Sequence, residues 1–371
     1  MLRLTRQRRH ERGDRGAVTT LVAVLLAGNV LLGMAALAVD VGLLYVEREE
    51  LQSGADAAAL AVAKVCAANR TACDGPAMEQ IAVDYADRNA RDEESDAAVC
   101  GRVLDSGGHN LLPACDAGPS NLTGCIGSPP PHPTPYVEVR TSTRLPDGST
   151  ALPPVFAGAV TGTDGVTVAA CARVGWGPVT EARVEPAMAI SKCEFDAATD
   201  HGTVFQPPPG DTGYGGAEPG REVTLRWRPP NGGGCQGIGN GFGWLTGAPN
   251  CGRTVRAGNW ITGRTSSTTP NGCLAHLNSA YTGRRPVPVA IFDNVDAPTH
   301  NNQFHIAGIA MFVVTGWYDD SGSSKPPALG GATKCSTGFC VYGYFTTHLF
   351  RAGTGSTGAA HYGALYLKII G

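Results

Sequence analysis

Charge is scarce in this 371-residue chain: Asp, Glu, Lys and Arg together make up 16% of it, while Gly and Pro number 50 and 26. That balance excludes a helical, salt-bridge-covered cytosolic protein and argues for turns and short strands. Cysteine is missing before Cys66, and none of the twelve cysteines stands in a Cys-x-x-Cys pair, which removes zinc-ribbon and thioredoxin-like sites. No nucleophile elbow, P-loop or His-Glu-x-x-His string occurs. Gly232, Gly234 and Gly237 satisfy Gly-x-Gly-x-x-Gly, but no strand–helix context surrounds them, so they read as a loop. Basic runs are absent beyond residue 16, which excludes a nucleic-acid footprint, and no residue set implies a cofactor.

One long stretch lacks charge altogether. From Ala17 to Val39 only Thr19, Thr20 and Asn29 are plainly polar, enough apolar length for a helix to cross a hydrocarbon core of about 30 Å. Arg3, Arg6, Arg8, Arg9, Arg12 and Arg15 precede it against Glu11 and Asp14, the charge bias of a cytoplasmic N-terminus. A secretory signal carries an apolar core of only about 7–15 residues. Ala36 and Ala38 nonetheless offer a cleavage site, so a cut signal is the alternative to a retained transmembrane helix at 17–39. Twelve cysteines beyond that helix read as disulfides in an extracytoplasmic body, with buried reduced thiols as the other reading.

The helix pattern does not stop at Val39. "VDVGLLYVEREELQSGADAAALAVAKV" has no Pro and places Leu44, Leu51, Ala58 and Val65 seven apart, with Val41, Ala55 and Val62 as a second row. The predicted object is one continuous rod of some fifty residues, about 75 Å long at 1.5 Å per residue. Its alanines either let another backbone approach closely or simply propagate an exposed helix. A second helix is signalled at "DGPAMEQIAVDYADRNAR", where Asp74 can cap, Pro76 fits the first turn, and Met78, Ile81, Ala82 and Tyr85 share a face. Cys66 and Cys73 flank the turn between the helices and are a candidate disulfide that would clasp the hairpin.

The stretch "RGAVTTLVAVLL…LAVDVGLLYVEREELQSGADAAALA" resembles the N-terminal region of the TadE/TadG-like proteins of Flp (tight-adherence) pilus assembly. Arg15–Gly16, Asp40, Gly42, Tyr45, Arg48, Leu51, Gln52 and Ala55–Ala61 carry the resemblance. It implies a membrane-anchored, non-enzymatic assembly component, with partners among other Tad-type pilus assembly proteins or minor pilins. Under that reading Leu44, Leu51, Ala55, Ala58 and Val62 form the helix-packing interface. Processed relatives are cut after a Gly followed five residues on by Glu; here Leu21 holds that position, so a retained anchor is implied. Larger relatives carry a metal-binding Asp-x-Ser-x-Ser loop, matched as a string by Asp319, Ser321 and Ser323. Too little chain follows for the rest of such a domain, and the string reads as a polar turn.

Beyond the hairpin, "SPPPHPTP" is a polyproline-like spacer. "YVEVRTSTR" and "GVTVAACARVGW" read as strands and "PPVFAGAV" as a short helix. With the two helices these make the pilin-like α+β unit that the resemblance implies for residues 40–180, behind a basic segment at 1–16 and the span at 17–39. From 181 to 371 no amphipathic helix is evident, and strand-like runs such as "VPVAIF" and "FHIAGIAMFVVTGWY" alternate with turns. The expectation there is a disulfide-bearing, β-rich, sandwich-like domain, stapled by cysteines from Cys171 to Cys340, with Cys251/Cys273 and Cys335/Cys340 as the first candidate pairs. The competing function class is a membrane-tethered extracytoplasmic hydrolase or glycan-binding module. It draws on His300 and His305 near Asp293 and Asp296, and on Trp227, Trp244, Trp260 and Trp317. Loop polarity and core aromatics are the plainer uses of those residues.

Overall fold

A computed structural model describes residues 15–27, 30–105, 107–115, 125, 127–156, 158, 162, 165–210, 213–228, 240–296, 302–350, 353–356 and 361–371. Where the sequence predicts one rod, the described residues contain two helices, α1 (Arg15–Ala27) and α2 (Val30–Ala68). Residues 28 and 29, in the middle of the predicted 17–39 span, lie outside the described set. Among the described residues no helix is long and apolar enough to cross a membrane. Of the uncharged run the described residues hold α1, with 13 residues and about 20 Å of helix, and the opening of α2. The apolar opening of α2 soon meets Asp40 and the Glu47–Glu50 cluster.

The second half of α2 is held by packing. Ala55, Ala58, Ala59, Val62, Ala63 and Cys66 have no exposed surface. They lie against α3 (Gly75–Asp87) and against an antiparallel sheet of β1 (Ser95–Arg102), β2 (Tyr136–Thr143) and β3 (Ala169–Val184). On the helix-facing side the sheet offers Val99, Val137, Val139, Ala172 and Val174. Small helix residues set against mostly β-branched sheet residues let the layers approach closely. α2 and α3 meet at Gly54, where a Cβ would come within 3.2 Å of the Ala86 Cα. Met78 and Ala82 of α3 are buried as its spacing requires, whereas Tyr85 is exposed.

β3 continues past this core. Its first part carries Ala172, Val174 and Trp176 into the helix-covered core. Its last part carries Val179, Ala182 and Val184 into a second, larger core and pairs with β7 (Arg253–Arg256) and β13 (Gly353–Gly355). The second core is formed by a sheet ordered β5 (Val223–Arg226), β11 (Cys340–Thr346), β10 (Gln303–Tyr318), β9 (Pro286–Asp296), β4 (Met188–Ser191), β6 (Phe242–Trp244), with β8 (Trp260–Thr262) on β10. The C-terminal strand β14 (Ala364–Ile369) returns to the first sheet, antiparallel to β3 and parallel to β12 (His348–Leu349). The protein is therefore α+β with two β-rich sheets.

Two helices appear where the sequence suggests none, α4 (Lys192–Thr199) and α5 (Cys273–Gly283). α4 is short and carries only one large buried residue, Phe195, so its periodicity is faint. α5 begins after Gly272 in a left-handed conformation rather than after a capping side chain. The short helix predicted at 153–160 does not form over residues 153–156, where the two prolines open a bend, and residues 157, 159 and 160 lie outside the described residues.

Candidate functional site at the base of the long helix

The residues of the sequence motif fall on one stretch of α2, and each is tied to the body beneath it. Asp40, 7% exposed, accepts the backbone N–H of Val155 at 2.9 Å and that of Phe156 at 3.2 Å on each carboxylate oxygen. Over the next two turns, Val41, Leu44, Tyr45 and Arg48 line an open groove of about 350 Å³ with residues 166–169. Glu47 bonds Thr143, and burial holds its carboxyl above the usual carboxylate range, reinforced by Asp92 and Glu50 and opposed by Thr143 and Arg91. Glu50 accepts the backbone N–H of Arg91 at 3.0 Å. The Leu51 carbonyl accepts the Thr141 hydroxyl at 2.9 Å, and Gln52 donates to the Cys171 carbonyl at 3.1 Å. Asp40, Glu50, Leu51 and Gln52 thus pin the helix to the loop before β3, the turn before β1, β2 and β3.

The structure places most of the predicted packing stripe inside the chain's own core. Leu51 is 3% exposed and Ala55, Ala58 and Val62 are wholly buried by the chain's own sheet and α3, while Leu44 lines the groove. A hydrophobic period reports that a face is covered, not whether the cover is the same chain. The face left outward on α2 is a different one: Val41, Tyr45, Val46 and Leu60 are 40%, 66%, 44% and 39% exposed. Below them Met34, Leu37 and Val39, and on α1 Val18, Leu21, Val24 and Leu26, are also exposed.

Residues 16–67 match the family model of putative Flp pilus-assembly TadE/G-like proteins. This segment is TadE/G-like. No curated protein and no solved structure matches the chain. The TadE/G-like segment covers α1 after its first residue and almost all of α2, and it stops short of α3 and both sheets.

Cysteines brace the body around the TadE/G-like helix. Cys66–Cys73 closes the turn from α2 to α3, Cys251–Cys273 ties the start of α5 to the turn before β7, and Cys335–Cys340 fastens the entry to β11. Cys100–Cys115 and Cys125–Cys171 are pairings that spacing alone does not single out. Both lie against Glu138, with sulfur and carboxylate oxygen atoms within 4.8 Å. Those sulfurs are committed to disulfides, so the cluster offers no thiolate to a metal. Glu138, 1% exposed, instead accepts from Arg173 at 2.6 Å and Arg140 at 2.7 Å, and Arg173 also lies over the Tyr136 ring.

The sequence-predicted polar cluster is partly assembled. His305 meets Asp293 at 2.6 Å with Trp260 tilted over its ring, whereas His300 lies outside the described residues. Trp244 and Trp317 are core residues and Trp227 is half-buried, which leaves Trp260, 42% exposed, apart from any shared stacking surface with them. Asp319 receives the N–H and hydroxyl of Ser321, the bonding of a polar turn. Residues 232–237 lie outside the described residues.

Proposed function

We propose that this protein is a non-enzymatic, membrane-anchored component of Flp/Tad-type pilus assembly. In this reading residues 17–39 are a retained anchor, the N-terminus is cytoplasmic, and the disulfide-braced body from residue 40 onward works outside the cytoplasm. The observation that carries it is the TadE/G-like match at residues 16–67. Three features support the anchoring: the uncharged run from Ala17 to Val39, the arginines before it, and the outward exposure of its apolar side chains. Because the Leu51–Val62 stripe is covered from within, partners dock on the outer face of α2, around Tyr45, Val46 and Leu60. Residues 40–180 act as the pilin-like unit that meets those partners and residues 181–371 as the outer β-rich unit. The test is protease shaving of intact cells carrying a C-terminal tag, beside membrane fractionation and pilus counts in a deletion strain. A soluble product, a tag protected inside the cell, or normal piliation without the gene refutes the proposal.

A further inference from the structure

The loop that Asp40 holds is built unlike a water-facing turn. Residues 153–156 read Pro-Pro-Val-Phe. Pro153 and Pro154 have no N–H to satisfy, and the N–H groups of Val155 and Phe156 both point into the Asp40 carboxylate. The backbone donors of this tip are thus all accounted for inside the molecule, which lowers the cost of setting it against lipid. The side chains do the opposite: Val155 is 60% and Phe156 51% exposed. Around them stand Val41 and Tyr45 on the helix and Val166 at the far side of the groove, 40%, 66% and 50% exposed.

Position decides what this surface faces. Asp40 is the first charged residue after the uncharged run, so the tip it grips sits level with the end of that run. Aromatic side chains at that level match the aromatic belts of membrane interfaces. Arg48, exposed at the outer end of the same groove, stands about two turns further along the helix, where lipid phosphates would meet a guanidinium.

We propose that the Pro153–Phe156 tip is a second membrane contact, with Phe156 and Val155 seated in the interfacial region of the lipid and Asp40 as the positioning residue that fixes their depth. This rests on the anchoring read above for residues 17–39. A single helix leaves the body free to lean and spin; a second contact fixes both.

The test uses the full chain in vesicles of phosphatidylethanolamine and phosphatidylglycerol with brominated acyl chains, which quench only fluorophores at lipid depth. An environment-sensitive fluorescent amino acid replaces Leu37, Asp147 or Phe156, one per sample, and one at Val155 gives a second reading of the tip should the residue-156 chain fail to form its disulfides. Strong quenching at 37 and at the tip with none at 147 is the expected result, and Asp40→Ala should remove most tip quenching while leaving position 37 unchanged. Quenching at 37 with an unquenched tip overturns the second contact and leaves the anchor standing. No quenching at 37 overturns the anchor and this inference with it, and a tip unaffected by Asp40→Ala overturns the role of Asp40.

Discussion

Replacing Ala58 distinguishes an internal seam from a docking surface. Ala58 has no exposed area and stands among Ala55, Ala59 and Val62 of its own helix, with Val137, Val139 and Ala172 in the same core. Ala58→Leu adds three carbon atoms where there is no room, an overpacking cost of about 1–3 kcal/mol. In a cooperative unit of roughly 150–250 residues each kcal/mol moves Tm by about 2–4 °C, so the variant should melt several degrees lower. Ala58→Arg places a charge without a partner in the same seam and should prevent the unit from folding. Leu60→Arg, two residues on and 39% exposed, is the control, expected to change stability by no more than about 0.5 kcal/mol. The assay is thermal unfolding of the detergent-purified chain, with pilus counts in parallel. Under the docking scheme Leu60→Arg lowers piliation without moving Tm, whereas Ala58→Arg removes both. An Ala58→Arg protein with wild-type Tm would refute the burial of the stripe.

Glu47→Gln should raise stability at neutral pH and lose that advantage in acid. A carboxyl held above its ordinary pKa contributes fully only below the unfolded value of about 4.3, and its contribution falls as pH rises through the folded pKa. Urea midpoints of both proteins across that range check the sign, and parallel curves at all pH values contradict it. Glu138→Gln should cost about 3–5 kcal/mol, because Arg173 is then left buried without its counter-ion. Chemical denaturation measures this, and a loss below about 1 kcal/mol, the scale of a surface pair, argues against burial of the pair. Paired Cys→Ala replacements should rank by loop length, with sequence separations of 46 for Cys125–Cys171 and 5 for Cys335–Cys340. Chain entropy gives about 4 and about 2 kcal/mol respectively. Equal losses for the two would remove the entropic account.

Helix existence was legible wherever a face repeats over several turns. The Met78/Ala82 face of α3 and the Ala55/Ala58/Val62 face of α2 are both buried at the spacing their sequences display. What covers the second of these was not legible, because period carries no information about whether the neighbour is the same chain. α4 did leave a local signature: Ser191 followed by Glu194 is a capping-box spacing, and the Ser191 hydroxyl does accept the Cys193 N–H. In the fold Glu194 bonds the Gly241 N–H instead of its own helix start, so a tertiary partner has taken over half of the box. Asp40 was visible as a motif residue, but its grip on Val155 and Phe156 spans 115 and 116 positions and no local rule reaches that far. The disulfides at Cys100–Cys115 and Cys125–Cys171 were hidden for the same reason, since connectivity follows strand neighbours rather than spacing.

β3 has a mechanical corollary. One uninterrupted strand is built into the helix-covered core at one end and into the larger core at the other, and β14 locks against it from the far terminus. Tension entering at the helix cannot be relieved by a swivelling joint, since there is no slack tether between the two cores along this route. It must be borne by a ladder of hydrogen bonds loaded together, which makes the larger core a rigid extension of the helix-covered one, so that a pull on either is felt at the other.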